Sequence, residues 1–287
     1  MKFYTLKNWF TVFLNFKGTD TFRKLRLLAL VIAVYTAIIC YLEINFWKIA
    51  QNSNVRNFTA LHGILGFAIS LLLAYRTNTA YDRWWEGRKT WGNLLVRIRN
   101  FAVIVSSLKD SSEKEYFKKM LPYYAYSLSK HLTANHIRHE WEDEYDVELD
   151  DAKNRPVQLT KMFYHRIMEL QTEGKITPVQ FNQMYSEILA FNEVCGICER
   201  IKTSPIPYTY NIFIKKFLFF YIMTMPFGYA LTLGYYVVPM VVFVFYVLTS
   251  LELIAEEIED PFGSESNDLP IDKIAAIIKK NVDEILP

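Results

Sequence analysis

Cysteine is scarce in this sequence, and neither sign of charge predominates. Only three of the 287 residues are cysteine, which excludes the dense disulfide framework of a small secreted domain. We therefore expect most of the polar part of the chain to lie in a reducing compartment. The formal net charge is +2 and no nucleic-acid-binding motif is present, so DNA and RNA are not expected partners.

The sequence also lacks the residue patterns of common active sites and metal sites. Its serine, cysteine and histidine residues form no recognisable nucleophile motif. Cys195 and Cys198 have the spacing of a redox or zinc-binding pair, but no second pair follows and the surrounding pattern is helical. His136 and His139 precede an acidic run, which is more typical of a solvated helix end than of a metal site. We therefore expect core cysteines and a protein that is not an enzyme.

Long apolar runs, by contrast, are abundant and indicate a membrane protein. Apolar residues make up 52% and aromatic residues 16% of the chain. Residues 27–42, 58–75 and 217–247 contain no Asp, Glu, Lys or Arg. At 1.5 Å per residue, a helix over 58–75 is about 27 Å long, which is close to the roughly 30 Å thickness of the hydrocarbon core. Because glycine and proline interrupt the last run near 234–239, we divide it into two spans and predict four in total.

Charged residues beside the spans predict the orientation of the chain. Arg23, Lys24 and Arg26 precede the first span, and four basic residues follow the second at positions 76, 83, 88 and 89. By the positive-inside rule, both termini lie in the cytoplasm and residues 44–57 form a short external loop. The predicted organisation is an N-terminal interfacial segment (1–25), transmembrane helices 1 and 2 (26–76), a cytosolic helical region (77–211), transmembrane helices 3 and 4 (212–253) and a cytosolic C-terminal segment (254–287).

Three bulky side chains of the second span form a stripe. Phe67, Leu71 and Tyr75 recur every four residues and so fall along one side of a helix. No proline occurs between residues 58 and 121, so this helix can continue from the membrane into water. The stripe is either an ordinary packing surface or, if several copies of the helix surround an axis, a narrow apolar constriction that hinders ion passage by dewetting.

Apolar residues at three- and four-residue spacing predict helices throughout the cytosolic region. These helices cover 94–104, a segment from the turn at 109–112 to about 139 that Pro122 interrupts, 159–172, 178–202 and, near the C-terminus, 272–286. The acidic run 140–151 is predicted to be a solvated connection. The sequence Ser-Pro-Ile-Pro at 204–207 ends the helix before it, because proline disfavours helix at its own position and at the preceding one.

Acidic residues are concentrated after the last span, at positions 252, 256, 257, 259, 260, 265 and 268. Oxygen ligands at this density suit a hard cation such as Ca²⁺. The spacing is not that of an EF-hand, and a solvated helix end with capping groups is an equally good interpretation. Both interpretations stay open on the sequence alone.

The sequence contains three long motifs: NTAYDRWWEGRKTWG at 78–92, CERIKTSPIPYTY at 198–210 and IAEEIEDPFG at 254–263. These motifs and the order of the four spans resemble the bestrophin family, in particular its bacterial branch. The resemblance implies an all-α membrane protein that forms a homopentameric ion channel in the bacterial inner membrane. Its central pore would run through the membrane and on through a cytosolic helical barrel.

The resemblance also implies roles for individual residues. Phe67, Leu71 and Tyr75 match the hydrophobic neck of the family's pore. Counting back from Ser-Pro-Ile-Pro places a second constriction, the cytosolic aperture, at Ile188.

In animal members of the family, a calcium clasp lies near the last of these motifs. The matching positions here are Glu257, Asp260, Glu265 and Asp268, so a divalent cation is the one cofactor that the resemblance suggests. Uncharged residues interrupt the acidic run at this point, which argues against activation by calcium.

Members of the bacterial branch look like cation channels that favour sodium. The resemblance therefore implies that monovalent cations are the ions that pass through the pore. Animal members pass chloride and other anions through an equally apolar neck, so an anion channel is the alternative within the class. A membrane-anchored helical scaffold is the alternative from another class. The expected partners are other copies of the chain, membrane lipid and the permeating monovalent ions.

Overall fold

α-Helices account for most of the structure. The computed structural model describes residues 20–48, 53–133, 149–150, 152–263 and 265–287, and within these ranges there is no β-strand. The helices are α1 (Asp20–Leu42), α2 (Ser53–Ser106), α3 (Ser111–Leu132), α4 (Arg155–Thr172), α5 (Pro178–Thr203), α6 (Tyr208–Leu233), α7 (Val237–Glu259) and α8 (Ile271–Ile285).

Some of the predictions lie outside the described residues. These predictions concern residues 1–19 of the interfacial segment predicted at 1–25, most of the acidic run at 140–151, and the pair His136 and His139.

Helix α2 is 54 residues long, and its buried side chains indicate why it stays one helix. Buried residues recur at intervals of four and three, at positions 69, 73, 76 and 80 and again at 87, 91, 94, 98, 101 and 105. A buried face that repeats every seven residues keeps the same side of a helix turned toward its neighbours. The prediction that the apolar second span and the charged segment after it form one helix is therefore confirmed.

The chain divides into two compact units. The membrane unit comprises the described residues up to Asp82 together with Ile206–Glu259, and the polar unit comprises Arg83–Pro205 and Asp260–Pro287. The first part of α2 thus belongs to the membrane unit and the remainder to the polar unit.

In the membrane unit, α1 packs against α6 and α7, and α6 packs against α7. Three stretches of the described residues are long and apolar enough to cross a membrane, namely Phe22–Trp47, Phe58–Ser106 and Tyr208–Glu259. The third contains both α6 and α7, which a 3₁₀ turn at Gly234–Tyr236 separates. Gly234 has a φ of +55°, a conformation that glycine adopts without a steric penalty. The predicted division of the last apolar run into two helices near 234–239 is therefore confirmed.

In the polar unit, aromatic side chains from four helices form the centre of the core. Phe101 of α2 is fully buried, and its ring centroid lies 5.2 Å from Phe117 of α3, 6.2 Å from Phe163 of α4 and 5.9 Å from Phe191 of α5. Aromatic rings at such distances stabilise a core beyond the area that they bury. Helix α8 completes the unit by packing against α3.

Helix α3 differs from the prediction in two ways. It ends at Leu132 instead of near residue 139, and it runs through Pro122 without a break. Proline removes one helical hydrogen bond, but Pro122 lies among the buried residues Leu121 and Tyr124, and this packing maintains the helix. Thr133 then adopts an extended conformation that ends it.

The starts of α4 and α5 follow from their capping residues. Helix α4 begins four residues before the predicted position 159, because Asn154 accepts a hydrogen bond from the Val157 N–H and Pro156 occupies the first turn. The prediction of a helix at 178–202 is confirmed, since α5 covers it. Thr177 and Gln180 form a capping box at its start.

The external loop predicted at 44–57 is shorter in the structure. Glu43–Trp47 form a π-helical turn directly after α1, and α2 begins at Ser53. Residues 49–52 between them lie outside the described ranges.

Candidate functional site

The stripe on α2 faces away from the rest of its own chain. Phe67, Leu71 and Tyr75 are 67%, 44% and 66% exposed, whereas Ile69 and Leu73 on the opposite face are each 2% exposed. The buried side of the helix packs against apolar residues of α6. Packing within the described part of the chain therefore does not explain the stripe, which is available to lipid, to another copy or to a pore.

A buried ion network lies on the inward side of the same helix. Arg76, directly after Tyr75, is 1% exposed, and its Nη1 lies 2.8 Å from a carboxylate oxygen of Glu259. Its Nε lies 3.6 Å from Glu252 on the same face of α7, which is an ion pair without a hydrogen bond. The second carboxylate oxygen of Glu259 accepts a hydrogen bond of 2.7 Å from the Ile206 backbone N–H. One guanidinium thus holds α2, α7 and the segment after α5 together.

Two further cations pair with the acidic end of α7. The Lys24 Nζ of α1 lies 3.1 Å from Glu257, and the Lys215 Nζ of α6 lies 2.9 Å from Glu256. Together with Arg76, these pairs connect α7 to each of the other three helices of the membrane unit. The pairs differ in strength, because only the Arg76 network is buried at both partners and exposed ion pairs contribute little.

The carboxylates that the resemblance relates to a calcium clasp have other roles in this structure. Glu257 pairs with Lys24, Asp260 accepts a hydrogen bond from the Phe262 N–H at 3.2 Å, and Asp268 accepts one from the Glu265 N–H. Among the described residues, no group of three or more His, Cys, Asp and Glu side chains is arranged to hold a metal ion. The predicted divalent-cation site at Glu257, Asp260, Glu265 and Asp268 is therefore not formed by the described residues.

The residues that follow the stripe in the first motif make structural contacts within the polar unit. The Arg83 guanidinium donates hydrogen bonds to the backbone carbonyls of Ile201 and Ser204, and the Trp84 indole N–H donates to the Asn267 carbonyl at 3.0 Å. Charge-assisted bonds of this kind position a helix end firmly. These bonds hold this part of α2 against the end of α5, which carries the second motif, and against Asn267, which follows the third motif.

The structure contradicts the placement of the aperture at Ile188. Ile188 is 2% exposed and belongs to the core of the polar unit, and a side chain inside a core cannot line a pore. Its buried neighbours Met184 and Phe191, four residues before and three after, form the pattern that could have revealed this. The large apolar side chains that α5 does expose are Val179, at 66%, and Leu189, at 51%.

The cysteine pair of α5 is part of the core, as predicted. Cys195 and Cys198 are both buried and are free thiols. Burial raises the pKa of the Cys195 thiol to about 12, and burial also raises the pKa of Cys198 well above its ordinary value. Because the thiolate is the reactive form, both are poor nucleophiles at neutral pH.

The chain also matches a known protein family. A family model described as bacterial and fungal bestrophin protein matches residues 2–284. The chain belongs to this family. The family predicted from the three motifs is thus confirmed, as is the all-α membrane fold.

Individual relatives agree with this family. A voltage-dependent anion channel-forming protein of Nostoc sp. is 34% identical over 232 residues, which cover 77% of this chain and 76% of the relative. A voltage-dependent anion channel-forming protein of Escherichia coli K12, YneE, is 30% identical over 75% of this chain and 73% of its own length. The crystal structure of a bestrophin homologue from Klebsiella pneumoniae has a TM-score of 0.80 with this chain at 23% identity, and covers 91% of this chain and 99% of its own.

These findings confirm the prediction of a channel and not an enzyme. The family is one of bestrophins, and the curated relatives carry channel-forming names.

We predict that the stability of the membrane unit depends on Arg76. Replacing it by alanine leaves the buried carboxylates of Glu252 and Glu259 without their cation, and such a change costs about 3–5 kcal/mol. The thermal midpoint of the detergent-solubilised protein, followed by size-exclusion chromatography after heating, should fall clearly. Lys89→Ala removes the same charge from an exposed position of α2 and should leave the midpoint almost unchanged. Equal midpoints for the two variants would contradict the role of the ion network.

Proposed function

We propose that the protein is a homopentameric channel for monovalent cations, sodium foremost, in a bacterial inner membrane with both termini in the cytoplasm. Phe67, Leu71 and Tyr75 of five subunits form its neck. Family membership and the channel-forming names of relatives support conduction of ions. The segment order predicted from the sequence, 1–25, 26–76, 77–211, 212–253 and 254–287, supplies the topology of this proposal.

The observation that carries the proposal is the outward direction of the α2 stripe. Lipid-facing side chains are also apolar and exposed, as Phe220 of α6 is, so exposure alone does not distinguish a pore from a lipid contact. The α2 face differs because it continues from Tyr75 into the exposed polar residue Asn78, as a path for ions requires. Five copies of the stripe around an axis would form a narrow apolar passage that opposes ion flow by dewetting.

The charges near the stripe favour cations over anions. No charged residue lies between Phe58 and Tyr75. The first cation after the stripe, Arg76, is buried and paired with two carboxylates, so it offers no positive surface to an anion. The neck therefore lacks the exposed basic residues that commonly line anion-selective pores.

An anion channel is the second candidate, because the relatives from Nostoc sp. and Escherichia coli are named for anion channel formation. A membrane-anchored scaffold is the third, and it would explain the stripe as a packing surface between copies. Conduction measurements separate the three.

The first prediction of this proposal concerns the reversal potential of the wild-type protein. In planar bilayers under a sodium chloride gradient, we expect the current to reverse near the sodium equilibrium potential, with the same result in the presence and absence of calcium. Reversal near the chloride equilibrium potential would support the anion channel instead. Protein that is pentameric by native mass spectrometry but carries no current would favour the scaffold.

The second prediction concerns the width of the neck. Leu71→Ala shortens five side chains at one level of the passage and so widens the neck. The free-energy barrier to ion passage should therefore fall. A reduction of about 1.4 kcal/mol would raise the ion current by about tenfold. Phe220→Ala, at an exposed position of α6, is the matched control and should leave single-channel currents unchanged. Currents of Leu71→Ala equal to those of the wild type would contradict a neck at this position.

The third prediction concerns the aperture, which we propose to lie at Val179 or Leu189 of α5. Because both side chains are exposed, Val179→Ala or Leu189→Ala should alter conductance and leave the thermal midpoint nearly unchanged. Ile188→Ala creates a cavity in the core and should instead lower stability by about 2–5 kcal/mol. A conductance change in Ile188→Ala alone, with full stability, would restore the original placement.

A further inference from the structure

Asp82 is the first residue after the neck that presents a charge to solvent. It follows Tyr75 on α2, and its side chain is exposed. Within the described residues, no hydrogen bond or ion pair involves its carboxylate.

Helical geometry puts Asp82 on the same face as the neck. Seven residues separate it from Tyr75, which is almost two full turns, so the two side chains point in nearly the same direction. At 1.5 Å per residue, the distance along the axis is about 10 Å. Asn78, one turn after Tyr75, lies between them on that face and is also exposed.

The charged residues of α2 nearest to Asp82 are Arg76, Arg83 and Glu86, and all three are already engaged. Arg76 is buried against two carboxylates, and Arg83 donates to two backbone carbonyls. Glu86 lies 2.5 Å from the Arg200 guanidinium. Asp82 therefore differs from these three residues, since its carboxylate faces solvent and not another part of the chain.

We infer that Asp82 determines the charge selectivity of the channel. This inference rests on the proposed pentamer, in which five copies of Asp82 form a ring of carboxylates on the polar side of the neck. Such a ring concentrates cations and repels anions at the mouth of the apolar passage. The separation of about 10 Å from Tyr75 is comparable with the Debye length of about 8 Å at physiological ionic strength, so the neck lies within reach of the field.

The test is the permeability ratio of sodium to chloride, obtained from reversal potentials of purified protein in planar bilayers. Asp82→Asn should lower this ratio by about threefold or more at low salt, and Asp82→Lys should lower it further. The effect should shrink at 1 M salt, where the Debye length is about 3 Å. Asp283→Asn is the matched control, because it removes the same exposed charge from α8 and should leave the ratio unchanged.

A cysteine variant keeps the inference testable if these substitutions impair assembly. Asp82→Cys can be labelled in the assembled channel, because the native Cys40, Cys195 and Cys198 are buried. A methanethiosulfonate reagent with a sulfonate group should raise the ratio of sodium to chloride permeability, and one with a trimethylammonium group should lower it.

Two outcomes would overturn the inference. The first is a sodium-to-chloride permeability ratio of Asp82→Asn that equals the ratio of Asp283→Asn. The second is an equal change of this ratio in Asp82→Cys after labelling with either reagent.

The inference about Asp82 can also be tested separately from the cation selectivity proposed above. If the wild type prefers chloride, that proposal fails, but loss of the carboxylate should still shift the ratio toward chloride. A wild type without current would refute conduction and the inference together.

Discussion

The pairing of Arg76 with Glu252 and Glu259 is the constraint on which the membrane unit depends most. A guanidinium that is 1% exposed is tolerated only where carboxylates balance its charge. These carboxylates are on α7, and Glu259 also holds the backbone of Ile206, so one network fixes the rotation of α2 about its own axis. Turning the helix to bury Tyr75 would bring Arg76 out of the network and leave two carboxylates buried without a cation.

That fixed rotation connects the packing of the chain with its function. The buried face of α2 repeats every seven residues, and the opposite face then carries Phe67, Leu71 and Tyr75 outward, followed by Asn78 and Asp82. In the proposed pentamer, this one helical face would supply both the apolar neck and the ring of carboxylates beside it. Lys24 of α1 and Lys215 of α6 also pair with the end of α7, but both lysines are exposed, so these pairs contribute less.

The sequence predicted those features that depend on local pattern. The absence of proline and the spacing of apolar residues predicted the long α2 and its stripe, and the three motifs predicted the family. Long-range features were missed. From the sequence alone, Arg76 is only a charge at the predicted membrane boundary. Its partners on α7 are distant in the chain, so no local pattern indicates that they pair with it. Ile188 was misplaced because a count from a distant motif ignored the buried face of α5.

In the proposed channel, the α2 stripes of five copies surround a common axis. The most direct measurement is an electron cryomicroscopy structure of the full-length protein in lipid nanodiscs. We expect a fivefold ring in which Phe67, Leu71 and Tyr75 point at the axis and Arg76 stays paired with Glu259 on the side of α2 that faces its own chain. A monomer, or an assembly in which the stripe contacts lipid or lies between subunits away from the axis, would contradict it.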